Sequence, residues 1–138
     1  LGARPSLRVL HGGVVNPAPL HPDDRALFQL MHMLAFAAAA HFNLPLREFE
    51  PKRRPSPGGA YGLCNLTSGT VSILFRCKHS AREGGAWFRS PSTKREVVET
   101  VAHELAHFRD AGHGVEHKAF TTEIRAWLEA ASLYAPSK

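Results

Sequence analysis

Four histidines and two glutamates fall within the twenty residues VAHELAHFRDAGHGVEHKAF, positions 101–120. A helix places residues four apart on one face, about 6 Å apart along its axis, so His103 and His107 can offer two imidazoles to one divalent cation. Glu104 is rotated by about 100° from His103, so it flanks that cation without being directed at it. A general base for an activated water belongs in that position. The pattern is H-E-x-x-H, whose mechanism needs these residue types at this spacing. With nine His and nine Glu in 138 residues, a shuffled chain would carry one such match about 4% of the time, so the motif needs support.

His113 supplies that support. It lies six residues past His107, beyond a break at Gly112, where the chain can turn back toward the same ion. Three protein nitrogens leave a fourth position for water, the arrangement of a catalytic zinc site. Two plainer readings stand beside it. His103 and His107 can be surface residues satisfied by Asp110 and solvent. Alternatively, a structural zinc would take a fourth ligand from His117, Glu116 or Glu123, and Glu104 would then have no role.

The elements around these residues follow from hydrophobic spacing. Ser92 or Thr93 caps the helix that carries the motif, with Glu96 completing a capping box if Thr93 is the cap. Val97, Val101, Leu105 and Phe108 form its buried stripe to about Asp110, where Gly112 and Gly114 break it. A last helix runs from Glu116 to Leu133 with Phe120, Ile124, Trp127, Leu128 and Ala131 inward. A first helix starts at Pro22 and Asp23, with Leu27, Leu30, Met31, Leu34, Ala38 and Phe42 at helical spacing. Its second half is apolar all round, which predicts deep burial.

Between the helices, PLREFEP reads as a short strand closed by Pro51. AYGLCNL and TVSILFR flank a hairpin whose two-residue turn is Ser68-Gly69. That register sets Cys64 opposite Ile73 and Leu66 opposite Val71, with Cys64, Leu66, Val71, Ile73 and Phe75 on the core face. LRVL, Leu7 to Leu10, is a candidate strand in an irregular N-terminal arm over residues 1–21. Lys52 to Gly59 form an exposed basic loop, and a Gly-rich loop spans Cys77 to Ser92. The expected fold is α+β: a small antiparallel sheet packed on an N-terminal backing helix, the motif helix and a C-terminal helix.

Composition sets the outer bounds. A chain of 138 residues, 43% hydrophobic and 21% charged, is one domain's worth of ordinary globule, spanning 1–138. Two cysteines do not make a disulfide scaffold. The longest apolar run, Met33 to Ala40, is too short to cross a bilayer, and no secretory leader is visible. These features predict a cytoplasmic or nucleoid-associated protein, cellular or viral. The chain begins at Leu1, as a fragment or processed product would.

In its motif region the chain resembles the SprT-like zinc metallopeptidases and their relatives in the WLM and minimal-zincin group. HELAH followed by GHG carries the likeness, with a buried aromatic, Phe120, on the helix after it. Upstream, YGLC (Tyr61 to Cys64) and GTVSILFR (Gly69 to Arg76) match the family's aromatic-Gly-x-Cys segment, turn and alternating strand. The match covers roughly residues 60–120. It departs in HGVEHKAF, where His117 replaces a usual aromatic, and in the longer loop before the helix. Ligand spacing also equals that of the metzincins, but their glycine is replaced here by Asp110.

The resemblance implies a zincin-like fold, one Zn2+ on His103, His107 and His113, and Glu104 as general base for a zinc-activated water. It also implies that the strand Val71, Ser72, Ile73 and Leu74 borders the cleft and pairs with an extended protein or peptide substrate. His117, Tyr61, His79 and Arg76 are candidates for stabilising an oxyanion. Asp110 and Glu116 are candidates for fixing an imidazole tautomer.

The remaining features weigh less. A second metal site at Cys64, Cys77 and His79 conflicts with the hairpin register. His32 and His41 lie on different helix faces, and Met31 and Met33 read as core filler. Lys52, Arg53, Arg54, Arg47, Arg76, Lys78 and Arg82, in a chain of net charge +5, can form a basic rim for DNA, a use the resemblance raises. The expected function is a zinc-dependent metallopeptidase. The alternative is a non-catalytic, zinc-stabilised module that binds DNA or a protein.

Overall fold

A computed structural model describes residues 20–52, 61–78, 82, 84–88 and 93–133. The LRVL segment, most of the N-terminal arm, basic-loop residues 53–59 and His79 lie outside these residues. Three helices and a three-stranded sheet make an α+β fold.

A 3-10 turn at Pro22–Asp24 leads into α1, Arg25–Phe42. His21 Nδ1 accepts from the Asp23 amide at 3.0 Å, and Pro22 at the helix start gives up an amide that would have no partner there. Asn43, at φ 59°, closes the helix in the left-handed conformation that Asn tolerates. Met31, Leu34, Ala35, Ala38 and Ala39 are buried. Deep burial of the whole second half does not follow, because Ala37 and Ala40 are exposed. Methyl groups on the outer face of a helix carry little apolar area, so an Ala run does not demand a partner on every side.

The strands are β1 (Glu48–Lys52), β2 (Gly62–Asn65) and β3 (Thr70–Leu74), in the order β1-β3-β2. β1 runs through Pro51 and pairs parallel to β3, Glu48 opposite Thr70. β2 and β3 form the expected antiparallel hairpin, so the sheet is mixed.

The register differs by two residues from the one predicted: Cys64 faces Val71 and Gly62 faces Ile73. The turn is longer than Ser68-Gly69. Asn65 Oδ1 accepts from the amides of Thr67 and Ser68 at 3.0 and 3.1 Å. The Gly69 amide closes the loop on the Asn65 carbonyl at 2.8 Å. Gly69 sits at φ 74°, where a side chain would be strained. A two-residue slip preserves strand parity, so Val71, Ile73 and Phe75 still face the core. Leu66 falls in the turn and is exposed.

β3 is therefore the central strand. Val71, Ser72, Ile73 and Leu74 are all buried, and the backbone is paired on both sides. It cannot add a substrate strand, which corrects the expectation that these four residues form the substrate edge. Among the described residues, β2 pairs with β3 alone, so the free edge beside the motif helix is its outer one.

A second, two-stranded sheet joins β4 (Cys77–Lys78) to β5 (Trp87–Phe88), giving order to a segment expected to be only a loop. Arg76, just before it, donates its amide to Asp24 Oδ2 at 3.1 Å and sets its guanidinium against Asp24 and Asp23 at 3.5 and 3.3 Å. This ties the end of the hairpin to the start of α1. It also takes Arg76 out of the candidates for an oxyanion partner and out of a free basic rim.

α2, Lys94–Ala106, starts at Thr93 with the full capping box. Thr93 Oγ1 accepts from the Glu96 amide at 3.1 Å, and Glu96 Oε1 accepts from the Thr93 amide at 3.3 Å. Val97, Val101 and Leu105 are buried as expected, and the helix stops four residues short of Asp110. α3, Val115–Leu133, buries Phe120, Ile124 and Leu128. These side chains join Met31, Leu34, Val71, Ile73 and Phe75 in one core. The turn between α2 and α3 is pinned by Arg109, which lies 3.9 Å over the Phe120 ring and donates to the Phe42 carbonyl at 2.9 Å. A cationic plate on an aromatic face is attractive, and the carbonyl it reaches belongs to the last turn of α1.

Candidate metal centre

His103 projects from the last turn of α2, and His107 is its C-cap residue. Their ring centres lie 4.9 Å apart. The turn that follows reverses the chain, so α3 packs back on α2 and its first turn brings His117 beneath the pair. His103, His107 and His117 offer ligand nitrogens that all lie within 4.8 Å of one another, close enough to hold a metal ion. His113, expected as the third ligand, is also in the cluster: its ring is 4.7 Å from that of His107 and 5.2 Å from that of His103. It is exposed, whereas His117 is 1% exposed.

Hydrogen bonds fix two of the rings. A carbonyl oxygen only accepts, so the nitrogen facing it must carry the proton. His107 Nδ1 therefore donates to the Asp110 carbonyl at 3.1 Å, leaving the Nε2 lone pair for a ligand. Asp110 meets this ring through its backbone carbonyl and not through its side chain. Its carboxylate instead accepts from the Gly112 amide at 3.0 Å and shapes the turn. His117 Nε2 donates to the His103 carbonyl at 3.0 Å, so its Nδ1 is the free lone pair. Metal-bound imidazoles commonly have their other nitrogen held in this way.

The electrostatics favour neutral imidazoles at His103 and His107. Burial, and then repulsion from His117, His107 and His113, holds His103 down to about 4. Burial also lowers His107, against the opposing hydrogen bond to Asp110. A set of imidazole nitrogens suits zinc and its neighbours rather than magnesium or calcium, which take oxygen.

Glu104 is 7% exposed. Burial raises its carboxyl to about 7, with Lys52 on β1 pulling in the other direction. It reaches its place because β2 has no side chain at Gly62. A Cβ there would fall 2.7 Å from Glu104 Cγ and 2.8 Å from Oε2.

A cleft of about 300 Å³ opens over this group, lined on one side by Gly62, Leu63, Cys64 and Leu66. His103, Glu104, His107, Ala111 and His113 form its other side. Tyr61 borders a neighbouring recess with Glu99, Thr100 and His103. Glu116 is exposed on the first turn of α3.

Gly62 against Glu104 and the field of Lys52 were not read from the sequence, and His117 was read only as a fourth ligand of a structural zinc or an oxyanion partner. The signal for His117 was its place one turn past His113 at the start of a helix, on a face already committed to the core by Phe120, Ile124 and Leu128. Gly62 and Lys52 lie on strands whose order no local pattern encodes.

Comparison with protein-family models, with curated proteins and with solved structures finds no match to this chain. No helix among the described residues is long and apolar enough to cross a membrane.

Proposed function

We propose that this protein is a zinc-dependent peptidase of the SprT-like kind, with Glu104 as general base. The observation that carries the reading is a buried carboxylate beside a cluster of imidazoles, on the floor of a cleft bounded by a strand edge that is unpaired among the described residues. His103 and His107 hold the ion, with a third imidazole from the segment 113–117. Zinc held there supplies Lewis acidity toward a scissile carbonyl and a water acidified toward neutrality.

Glu104 takes a proton from water and delivers it to the departing amine. The substrate lies extended along the outer edge of β2. Tyr61 donates a hydrogen bond toward the developing oxyanion.

In this reading the backbone groups that receive the substrate follow from the hairpin register. The Leu74 amide donates to the Tyr61 carbonyl at 2.8 Å, which makes Tyr61 and Leu74 a hydrogen-bonded pair. Such pairs alternate along an antiparallel ladder, so Leu63 and Asn65 also point toward β3, while Gly62 and Cys64 point outward. The outward amides and carbonyls are therefore those beside Glu104.

A second reading has one observation in its favour. A fourth imidazole in the cluster is what a closed, structural metal site would need, as in a zinc-stabilised module that binds DNA or protein. Glu104→Gln separates the two. The peptidase reading expects one equivalent of zinc retained and hydrolysis of an unstructured peptide reduced by roughly 10²–10⁴-fold. Hydrolysis at the wild-type rate in that variant overturns it.

A further inference from the structure

We infer that His117, through Nδ1, is the permanent third ligand of the metal, and that His113 is an exchangeable fourth ligand closing the corner that faces the cleft. The inference rests on the proposed function for the presence of a metal, and on the structure for how the ligands divide.

Four imidazoles on one tetrahedral ion, each nitrogen about 2.0–2.1 Å from it, have ring centres about 5 Å apart. The six centre-to-centre separations among His103, His107, His113 and His117 run from 4.1 to 5.3 Å. The four rings are therefore gathered at about the spacing a single ion imposes, the closest pair, His107 and His117, at 4.1 Å. They are not equivalent. His103, His107 and His117 have their ligand nitrogens mutually within reach, and His117 is buried with its tautomer set by the His103 carbonyl. That bond joins the third ligand to the backbone of the helix carrying the first two, so the three move as one body.

His113 differs in each respect. It is exposed, lines the cleft together with Glu104, and sits between Gly112 and Gly114 in the turn before α3. A Cβ at Gly114 would meet nothing within 4 Å, and one at Gly112 only Asp110 Oδ1 at 3.5 Å. Among the described residues the two glycines beside His113 have open space around them, which leaves room for its ring to swing outward. Closed, it occupies the corner that water and substrate need; open, it uncovers the site beside Glu104. The domain is then self-inhibited in its resting state, and a substrate whose carbonyl displaces an imidazole opens it.

The test is metal binding, with activity as a separate arm. Cobalt(II) replaces zinc in the whole chain, and its visible absorption reports ligand number. His113→Ala should keep one equivalent of cobalt, change the spectrum, and bind azide at least tenfold more tightly than wild type. His117→Gln should lose metal affinity by more than the roughly 10- to 100-fold that an outer partner costs. Because His117 is buried, its part is also read without substitution. Nitrogen-15 NMR of the zinc-loaded wild type should show His117 metallated at Nδ1 and protonated at Nε2.

A His117 ring with neither nitrogen metallated, or loss of metal from His113→Ala, overturns the assignment. Unchanged azide affinity in His113→Ala overturns the exchange. Failure of both the zinc-loaded wild type and His113→Ala to cleave peptides, with the metal results as expected, would sink the peptidase reading and leave the ligand assignment standing.

Discussion

Gly62 and Glu104 are packed so closely that one methyl group would not fit between them: a Cβ on Gly62 would lie 2.8 Å from Glu104 Oε2 and 2.7 Å from its Cγ. The glycine is a site residue by virtue of what it lacks. Gly62→Ala must push the carboxylate aside or part β2 from α2. A misplacement on the order of 1 Å costs about 100-fold in rate, so kcat should fall by that order while zinc stoichiometry stays at one. An unchanged kcat would mean that Glu104 does not act from this position.

The outward amide of Cys64 gives a test of the substrate edge. Proline is tolerated where its missing N–H faces away from the ladder. Cys64→Pro should therefore leave the hairpin and the metal content intact and raise KM for an extended peptide tenfold or more. If KM does not move, the substrate does not pair with β2.

Cys64 also carries a pH signature. Burial first, and the nearby Glu104 charge second, raise its thiol to about 11. Alkylation by iodoacetamide should keep rising with pH through 9 and level off only near 11, whereas the unfolded chain levels off near 9. The linkage has the same sign. Between those values the unfolded chain has lost a proton that the folded one keeps, so this thiol's contribution to stability is present below pH 9 and fades toward pH 11. A plateau at 9 in the folded protein would show that the thiol is not shielded.

The Asp24 carboxylate is 3% exposed and faces both the amide and the guanidinium of Arg76. Removing one partner of a buried pair strands the other and costs about 3–5 kcal/mol. Asp24→Ala should lower the free energy of unfolding by about 3 kcal/mol in a denaturant titration. The exposed Arg125–Glu99 pair, at 3.7 Å, should contribute less than about 1 kcal/mol by the same measurement.

Much of this molecule is written locally in its chain. The Thr93–Glu96 box, the i, i+4 placement of His103 and His107, and the buried stripes of α2 and α3 depend on contacts within about one helical turn. Periodicity alone places such contacts. The hairpin was legible, but its register was not. The Asn65 side chain competes for the turn amides and lengthens the loop by two residues, an effect of local polar chemistry that strand patterning does not register.

What the sequence determined by itself was the helices, their caps and the presence of a histidine-glutamate motif, because short-range geometry has few solutions. Only the tertiary structure decided that β3 lies in the centre of the sheet, that Glu104 is buried under Gly62, and that His117 enters the imidazole cluster beside His113. Each depends on segments far apart in the chain meeting at a set angle. Burying the apolar faces of α1, α2, α3 and the sheet in one shared core fixes that angle, and no window of a few residues contains it.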